Sequence, residues 1–472
     1  MPITKPHVVI LASPGLGLLI PILELGRRLA QLNLQVTVFA AATDSSDRIS
    51  QQIDSQDTDL VEVVVLPPVE ISGLVPPNAI LPAKILAIMH ESLPLLRSAF
   101  SAMTTCPKAL IVDVFGIDAL AIANEFEMLK YVFVASNARL FSISVYAAEV
   151  DREVLEEHVN QQQPLKIPGC SPLRFEDTLE PLKDPNGPAF HGFVGLAMAA
   201  ATSDGVLINT WEDLEPTTLR ALRDSKLLGG TFKAPIYPIG PVSRPTGSSI
   251  SENRILKWLD DQPTESVIYV SFGSGGTLSA KQTIELAWGL ELSQQRFIWV
   301  IRPPSESDAS GLFFSSGKKS SSFQDYLPEG FLTRTQKVGL VVPMWAPQSE
   351  ILEHSSVGGF LSHCGWNSVV ESITNEVAII GWPLYAEQKM NATMLTEEMG
   401  VAVKSKELAC QSIVGREEIE RMVRKVLVDK ESHGLKKKVK ELKFSGEKAL
   451  SNGGSSYDSL SKVAGRVSGR NE

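Results

Sequence analysis

Short apolar runs bounded by turn residues punctuate this chain, and no other feature restricts its fold as tightly. The first is His7 to Leu11, followed by a Gly/Pro loop (Ala12 to Leu18), a helical pattern (Ile20 to Leu32) and a second run (Gln35 to Ala40). Further runs occur at Ala109 to Val112, Tyr131 to Val134 and Gly205 to Ile208. A strand that is apolar on both faces must be covered on both faces, the condition of a parallel sheet with crossover helices. The first half of the chain therefore reads as α/β.

The rhythm breaks once and then restarts. Between Pro235 and Ser251 four prolines mix with Gly and Ser, a composition that favours an extended connection over a packed element. Beyond it lie strands at Val267 to Phe272, Arg296 to Ile301, Gly339 to Pro343, Gly358 to Ser362 and Ala378 to Trp382, with a helix at Ala280 to Ser293. This is a second doubly wound domain. The length of 472 residues requires it, because single cores stop growing at roughly 250 to 300 residues. The expected division is an N-terminal domain over 1–240, a linker over 241–251 and a C-terminal domain over 252–472, with the last helix packing back on the first domain. Ser305 to Phe323, rich in Ser, Gly and Lys, reads as a surface loop. Arg416 to about Val467 reads as helical; its lysines at 436, 437, 438 and 440 are interspersed with glutamates and read as a solvated face.

Composition removes several classes of function. A net charge of −10 leaves no electrostatic footprint for nucleic acid. The four cysteines, Cys106, Cys170, Cys364 and Cys410, lack CxxC spacing, which points away from a disulfide framework or zinc site and toward the cytoplasm. The uncharged run from Val8 to Leu23 superficially resembles a signal peptide, but Pro14, Gly15, Gly17 and Pro21 interrupt it and no small-residue cleavage site follows. No other stretch reaches the roughly 18 apolar residues needed to span a bilayer.

Residues 345–388 read WAPQSEILEHSSVGGFLSHCGWNSVVESITNEVAIIGWPLYAEQ. This segment resembles the signature box of plant family 1 UDP-glycosyltransferases in its WAPQ opening, its HCGWNS core and its closing Glu-Gln pair. HVVILASPGLGLLIP near the start, LIVDVFGIDA at Leu110 to Ala119, YPIGPV at Tyr237 to Val242 and VSFGSGGT at Val270 to Thr277 are similar to the same family. The resemblance covers essentially the whole chain, and the branch most resembled glucosylates small phenols such as hydroquinone and monolignols. It implies a GT-B fold, two facing Rossmann-like domains with a cleft between them, with the UDP-sugar donor held by the second domain and the acceptor by the first.

The residue chemistry suits such a donor. Trp345 offers a ring face to uracil and the Ala346 backbone can read its edge. Gln348 and Glu371 suit ribose hydroxyls. The segment from His363 to Ser368 runs from a strand into a helix, whose first-turn N–H groups and positive dipole end suit a diphosphate. His363, Asn367 and Ser368 would donate to it, and Ser274 with its glycine-rich loop could reach it from the other side. Glu387 and Gln388 can accept from and donate to sugar hydroxyls; in the resembling family this pair and Trp366 contact the transferred sugar, and the terminal glutamine goes with glucose. UDP-glucose is then a co-substrate, and neither a further cofactor nor a metal is expected. A dinucleotide-binding dehydrogenase fits less well: Gly15-Leu16-Gly17 begins a GxGxxG motif, but the sixth position is Ile20 and the nearest acid, Asp44, lies beyond the second strand.

On the acceptor side the family uses a histidine at the start of the first helix as general base and an aspartate on a neighbouring loop to orient it. Asp113 matches the aspartate. The loop GLGLLIP should read GxGHxxP, and Leu18 stands where the histidine belongs. Leucine cannot take a proton, and a positioned base contributes about 10²- to 10⁴-fold, so the resemblance implies either impaired or altered glucosyl transfer, or a catalytically inactive protein that binds UDP-sugar and aglycone. Among substitutes, His90 and His158 read as surface or structural residues, and Asp113 could itself serve, its pKa raised by burial. Phe115, Ile117, Phe141 and Tyr146 are candidates for an apolar acceptor pocket.

Overall fold

The computed structural model describes residues 5–42, 60–76, 79–230, 232–243, 254–305, 323–405 and 412–470. Asp44, Cys410, residues 244–251 of the expected linker and 306–322 of the expected loop lie outside these. The chain forms two compact units, one of Met1–Ser243 with Gly446–Glu472 and the other of Arg244–Ser445.

The first unit is built on seven strands: β1 (His7–Ala12), β2 (Gln35–Ala41), β3 (Glu62–Leu66), β4 (Ala109–Asp113), β5 (Leu129–Val134), β6 (Gly205–Ile208) and β7 (Ile236–Pro238). They lie in the order β3-β2-β1-β4-β5-β6-β7, and every pairing is parallel. The apolar runs that announced the inner strands are buried on both faces, β1 and β4 throughout their length. Strand order reverses between β1 and β4, and an open parallel sheet receives its ligands at the carboxyl ends of such a pair.

Two details differ from expectation. The first helix begins at Leu16, not Ile20, so Leu18 sits in its first turn. Pro21 is accommodated inside it, forfeiting the bond that would have gone to the carbonyl of Gly17. The proline-rich junction begins later than Pro235, because residues 236–238 pair with β6 as an edge strand, the one place in a sheet where proline costs little. The last helix, Ser455–Val467, packs Leu460, Val463, Ala464 and Val467 into the core of this unit, and Ser456 Oγ donates to Gly240 O.

The second unit has β8 (Val267–Ser271), β9 (Arg296–Ile301), β10 (Gly339–Pro343), β11 (Val357–Ser362), β12 (Ala378–Gly381) and β13 (Ala402–Lys404). Their order, β10-β9-β8-β11-β12-β13, is again wholly parallel and reverses between β8 and β11. Tyr269 on β8 stacks on Phe360 of β11 with ring centroids 5.0 Å apart, tying the two switch-point strands through the core. The lysine-rich face is balanced locally: Lys436 meets Glu265, Lys438 meets Glu441, and Lys440 meets Glu376. Among the described residues no helix is long and apolar enough to cross a membrane. Two units with these doubly wound parallel sheets constitute the GT-B class of fold.

Candidate functional site

In the second unit the switch point gathers the residues of the 345–388 segment. β11 ends at Ser362, and Cys364 turns the chain with a left-handed φ of 63°. A residue with a Cβ holds that conformation only with support. Ser362 Oγ accepts the Cys364 N–H at 3.2 Å, and the buried Asn391 amide donates to the Cys364 carbonyl at 2.9 Å. Gly365 then caps the helix Trp366–Thr374, in which Val369 N–H bonds back to Gly365 O at 3.1 Å. The N–H groups of 366–368 precede this ladder, so the positive end of the helix stands at the strand terminus.

His363 lies between two glycines. A Cβ on Gly273 would stand 2.5 Å from its ring and one on Gly365 2.4 Å, so the glycine-rich loop after β8 approaches the imidazole only because it carries no side chain there. Gly273 also has a left-handed φ of 73°. The ring is buried, and its Nδ1 has no hydrogen-bond partner among the described residues. Burial, with the Arg302 charge adding to it, pushes His363 down to about 4. It is therefore a neutral imidazole near neutral pH, able to donate from one nitrogen.

Trp345 stands 53% exposed after β10, in a tight turn where its N–H donates to Pro343 O at 2.8 Å. Ala346 beside it is buried. Gln348 opens the helix Gln348–Glu353 and donates to Ser368 Oγ at 2.8 Å and to Glu371 Oε2 at 2.5 Å; Ser349 Oγ donates to Glu371 Oε1 at 3.1 Å. These four side chains form one polar cluster across two helices. The Gln388 Oε1 accepts both Leu384 N–H at 2.9 Å and Tyr385 N–H at 3.1 Å. Two donors on one oxygen fix the amide orientation, leaving its NH₂ as the group available to a ligand. Glu387, half-buried, precedes the helix Gln388–Thr393; Trp366 is buried, and Ser274 and Asn367 are half-buried.

One residue that sequence reasoning missed belongs with these. Arg302, just beyond β9, donates from Nη1 to Gly276 O and from Nε to Met344 O, each at 3.2 Å. No spacing in the sequence relates those two carbonyls.

In the first unit Asp113 ends β4 and is fully buried. Its Oδ2 accepts Ser13 N–H at 2.6 Å; its Oδ1 accepts Ser13 Oγ at 2.6 Å, Phe115 N–H at 2.9 Å and Gly116 N–H at 3.2 Å. Burial raises its pKa above the usual carboxylate range, and the bonds from Ser13, Phe115 and Gly116 oppose that rise. Leu18 is half-buried in the first turn of Leu16–Gln31. His158 is committed to structure, with Nδ1 on Gln163 O and Nε2 on Thr178 Oγ1. His90 is 66% exposed and faces Asp118 at 3.1 Å. Of the apolar candidates, Phe115, Ile117 and Tyr146 are half-buried, whereas Phe141 has no exposed surface and packs edge-on against Phe232 at 5.2 Å, a core position.

Comparison with known proteins bears on both units. Residues 253–433 match the family model described as UDP-glucoronosyl and UDP-glucosyl transferase. The chain is 50% identical to UDP-glycosyltransferase 72E1 of Arabidopsis thaliana, over 98% of this chain and 96% of that one. It is 52% identical to anthocyanidin 3-O-glucosyltransferase 5 of Manihot esculenta, over 98% of this chain and 95% of the relative. The crystal structure of TcCGT1 in complex with UDP superposes with a TM-score of 0.92 at 46% identity, over 99% of this chain and all of that one.

Proposed function

Because this chain belongs to the UDP-glucuronosyl and UDP-glucosyl transferase family, and is thus a plant-type UDP-sugar glycosyltransferase, we propose that it transfers glucose from UDP-glucose, with inversion, to a hydroxyl of a small phenolic acceptor. The observation that carries the donor half is His363: a buried, neutral imidazole whose Nδ1 has no hydrogen-bond partner among the described residues, placed just before the cap of a helix. Such a group calls for an anionic ligand that also meets the helix N-terminus. A nucleoside diphosphate satisfies both, with Trp345 stacking on the base and the Gln348–Glu371 pair turning to the ribose diol. The diphosphate charge then has its partners in the helix end and Ser274, and the reading needs no metal.

Glucose is favoured by the fixed Gln388 amide, which donates to a hydroxyl while the neighbouring Glu387 accepts. The phenolic acceptor is supported by the name of the Manihot esculenta relative, anthocyanidin 3-O-glucosyltransferase 5, and by the half-buried Phe115, Ile117 and Tyr146 in the first unit. Cys106, Cys170 and Cys364 form no disulfide among the described residues, which fits a cytoplasmic setting.

In the reaction the acceptor oxygen attacks the anomeric carbon, the bond from that carbon to the diphosphate oxygen breaks, and UDP leaves with its charge held by the helix end. The acceptor proton must go elsewhere. Leu18 cannot take it, and Asp113 is fully buried. This favours a second reading, a protein that binds UDP-sugar and aglycone with little turnover.

Incubation with UDP-glucose and a panel of phenols, following UDP release and glucoside mass, tests the first reading. Product with UDP-glucose supports it. Calorimetric UDP binding without any product supports the second, and absence of UDP binding defeats both.

A further inference from the structure

The nucleotide site depends on two backbone segments that follow strands not paired with each other. One is the glycine-rich loop after β8, where Gly276 has room for no Cβ, since it would lie 2.1 Å from Phe272 O. The other is the turn after β10, where Met344 adopts a left-handed φ of 66° and its carbonyl precedes the exposed Trp345 ring. For a residue with a Cβ that conformation costs on the order of 1 kcal/mol or more, and it persists only where the surroundings over-determine it. β9 lies between β8 and β10, and Arg302 at its end reaches both. Its planar fork donates to Gly276 O on one side and Met344 O on the other.

We propose that Arg302 is a positioning residue of the nucleotide site, which clamps the Trp345 turn to the Gly273–Gly276 loop and sets a fixed positive charge beside His363. The proposal rests on the reading of residues 345–388 as a UDP-sugar site. Its geometric part acts on the base, because the Met344 carbonyl orients the peptide that carries Trp345. Its electrostatic part acts on the diphosphate, because a guanidinium stays charged at every working pH and adds to the burial that keeps His363 neutral. Arginine, with two diverging donors, can do both; lysine, a point charge on a flexible stem, can keep only the second.

The test compares uridine and UDP-glucose binding by calorimetry in the native protein, Arg302→Met and Arg302→Lys, with thermal melting of each. Uridine reports the base subsite alone. UDP-glucose adds a diphosphate whose charge does not change between pH 5 and 8. Arg302→Met is expected to weaken uridine several-fold and UDP-glucose by about 10- to 100-fold, the scale of a lost charge-assisted interaction. Arg302→Lys should recover the ratio of UDP-glucose to uridine affinity while leaving the uridine loss in place. Arg302→Met should also move the acid-side rise in UDP-glucose affinity to higher pH than in the native protein, because the cation that adds to burial in keeping His363 neutral is gone.

Unchanged affinities in both variants would overturn the proposal. Equal losses for both ligands in both variants, with lowered melting temperatures and a pH dependence unchanged from the native protein, would reduce Arg302 to a structural residue and overturn it as well. Failure of Arg302→Lys to fold would do the same. If the native protein binds neither uridine nor UDP-glucose, the reading of the site fails first.

Discussion

Ser13 donates to both oxygens of Asp113 at once, its backbone N–H to Oδ2 and its hydroxyl to Oδ1, each at 2.6 Å. The two residues stand at the carboxyl ends of β1 and β4, across the point where strand order reverses. The carboxylate is thereby fixed without help from residue 18. Ser13→Ala should remove one charge-assisted bond from a buried oxygen and destabilise the first unit by about 1 to 3 kcal/mol, read as a lowered urea midpoint with an unchanged m-value.

Trp345→Ala should weaken UDP by about 1 to 3 kcal/mol, the range for losing one stacked base, and weaken uridine equally. A loss confined to UDP would place the ring on the phosphates instead. Calorimetric titration with both ligands separates the two.

Gln388→Glu keeps an acceptor for the Leu384 and Tyr385 N–H groups but exchanges the NH₂ donor for a carboxylate oxygen that carries charge. UDP affinity should fall through the added charge alone, while kcat/KM for UDP-glucose should fall by a further factor of about three to ten through the lost donor. Equal losses for UDP and UDP-glucose would show that the amide serves the loop and not the sugar.

How much of this was legible beforehand differs by element. The inner strands announced themselves because both faces are buried and the runs are wholly apolar, so two parallel α/β units followed directly. β3, β7 and β13 did not: they are short and lie at or next to a sheet edge, and β7 is flanked by Pro235 and ends on Pro238. In the site, residues 345–388 could be read because they are contiguous. Arg302 and Ser13 could not, since their work is to reach Gly276 O, Met344 O and Asp113, contacts set by strand order. Phe141 looked like a pocket residue because an aromatic on a helix carries no mark of which face it occupies.

The histidines give a pH dependence of stability. The pKa of His363 is pushed down to about 4, and those of His7 and His158 are lowered by burial. A histidine whose folded pKa lies below its unfolded value of about 6.5 binds protons preferentially in the unfolded chain, so stability is full above that value and is lost as pH falls toward the folded pKa. Melting temperature should therefore decline between pH 6.5 and 4, with His363 alone contributing on the order of 2 to 4 kcal/mol. Bound UDP-glucose should blunt the decline, because its diphosphate favours the protonated ring.

The most direct measurement compares initial rates of UDP-glucose-dependent transfer by the native protein and Leu18→His across phenols of falling pKa. Asp113 Oδ2 takes a single hydrogen bond and keeps capacity for an imidazole N–H. The histidine should raise kcat by about 10²- to 10⁴-fold for phenols of pKa near 10, leave UDP affinity unchanged, and give progressively less as the phenol becomes ionised at the working pH. The two proteins should converge for the most acidic acceptors. Equal rates for every phenol, or native rates that ignore acceptor pKa, would contradict the account and require a base other than residue 18 beside Asp113.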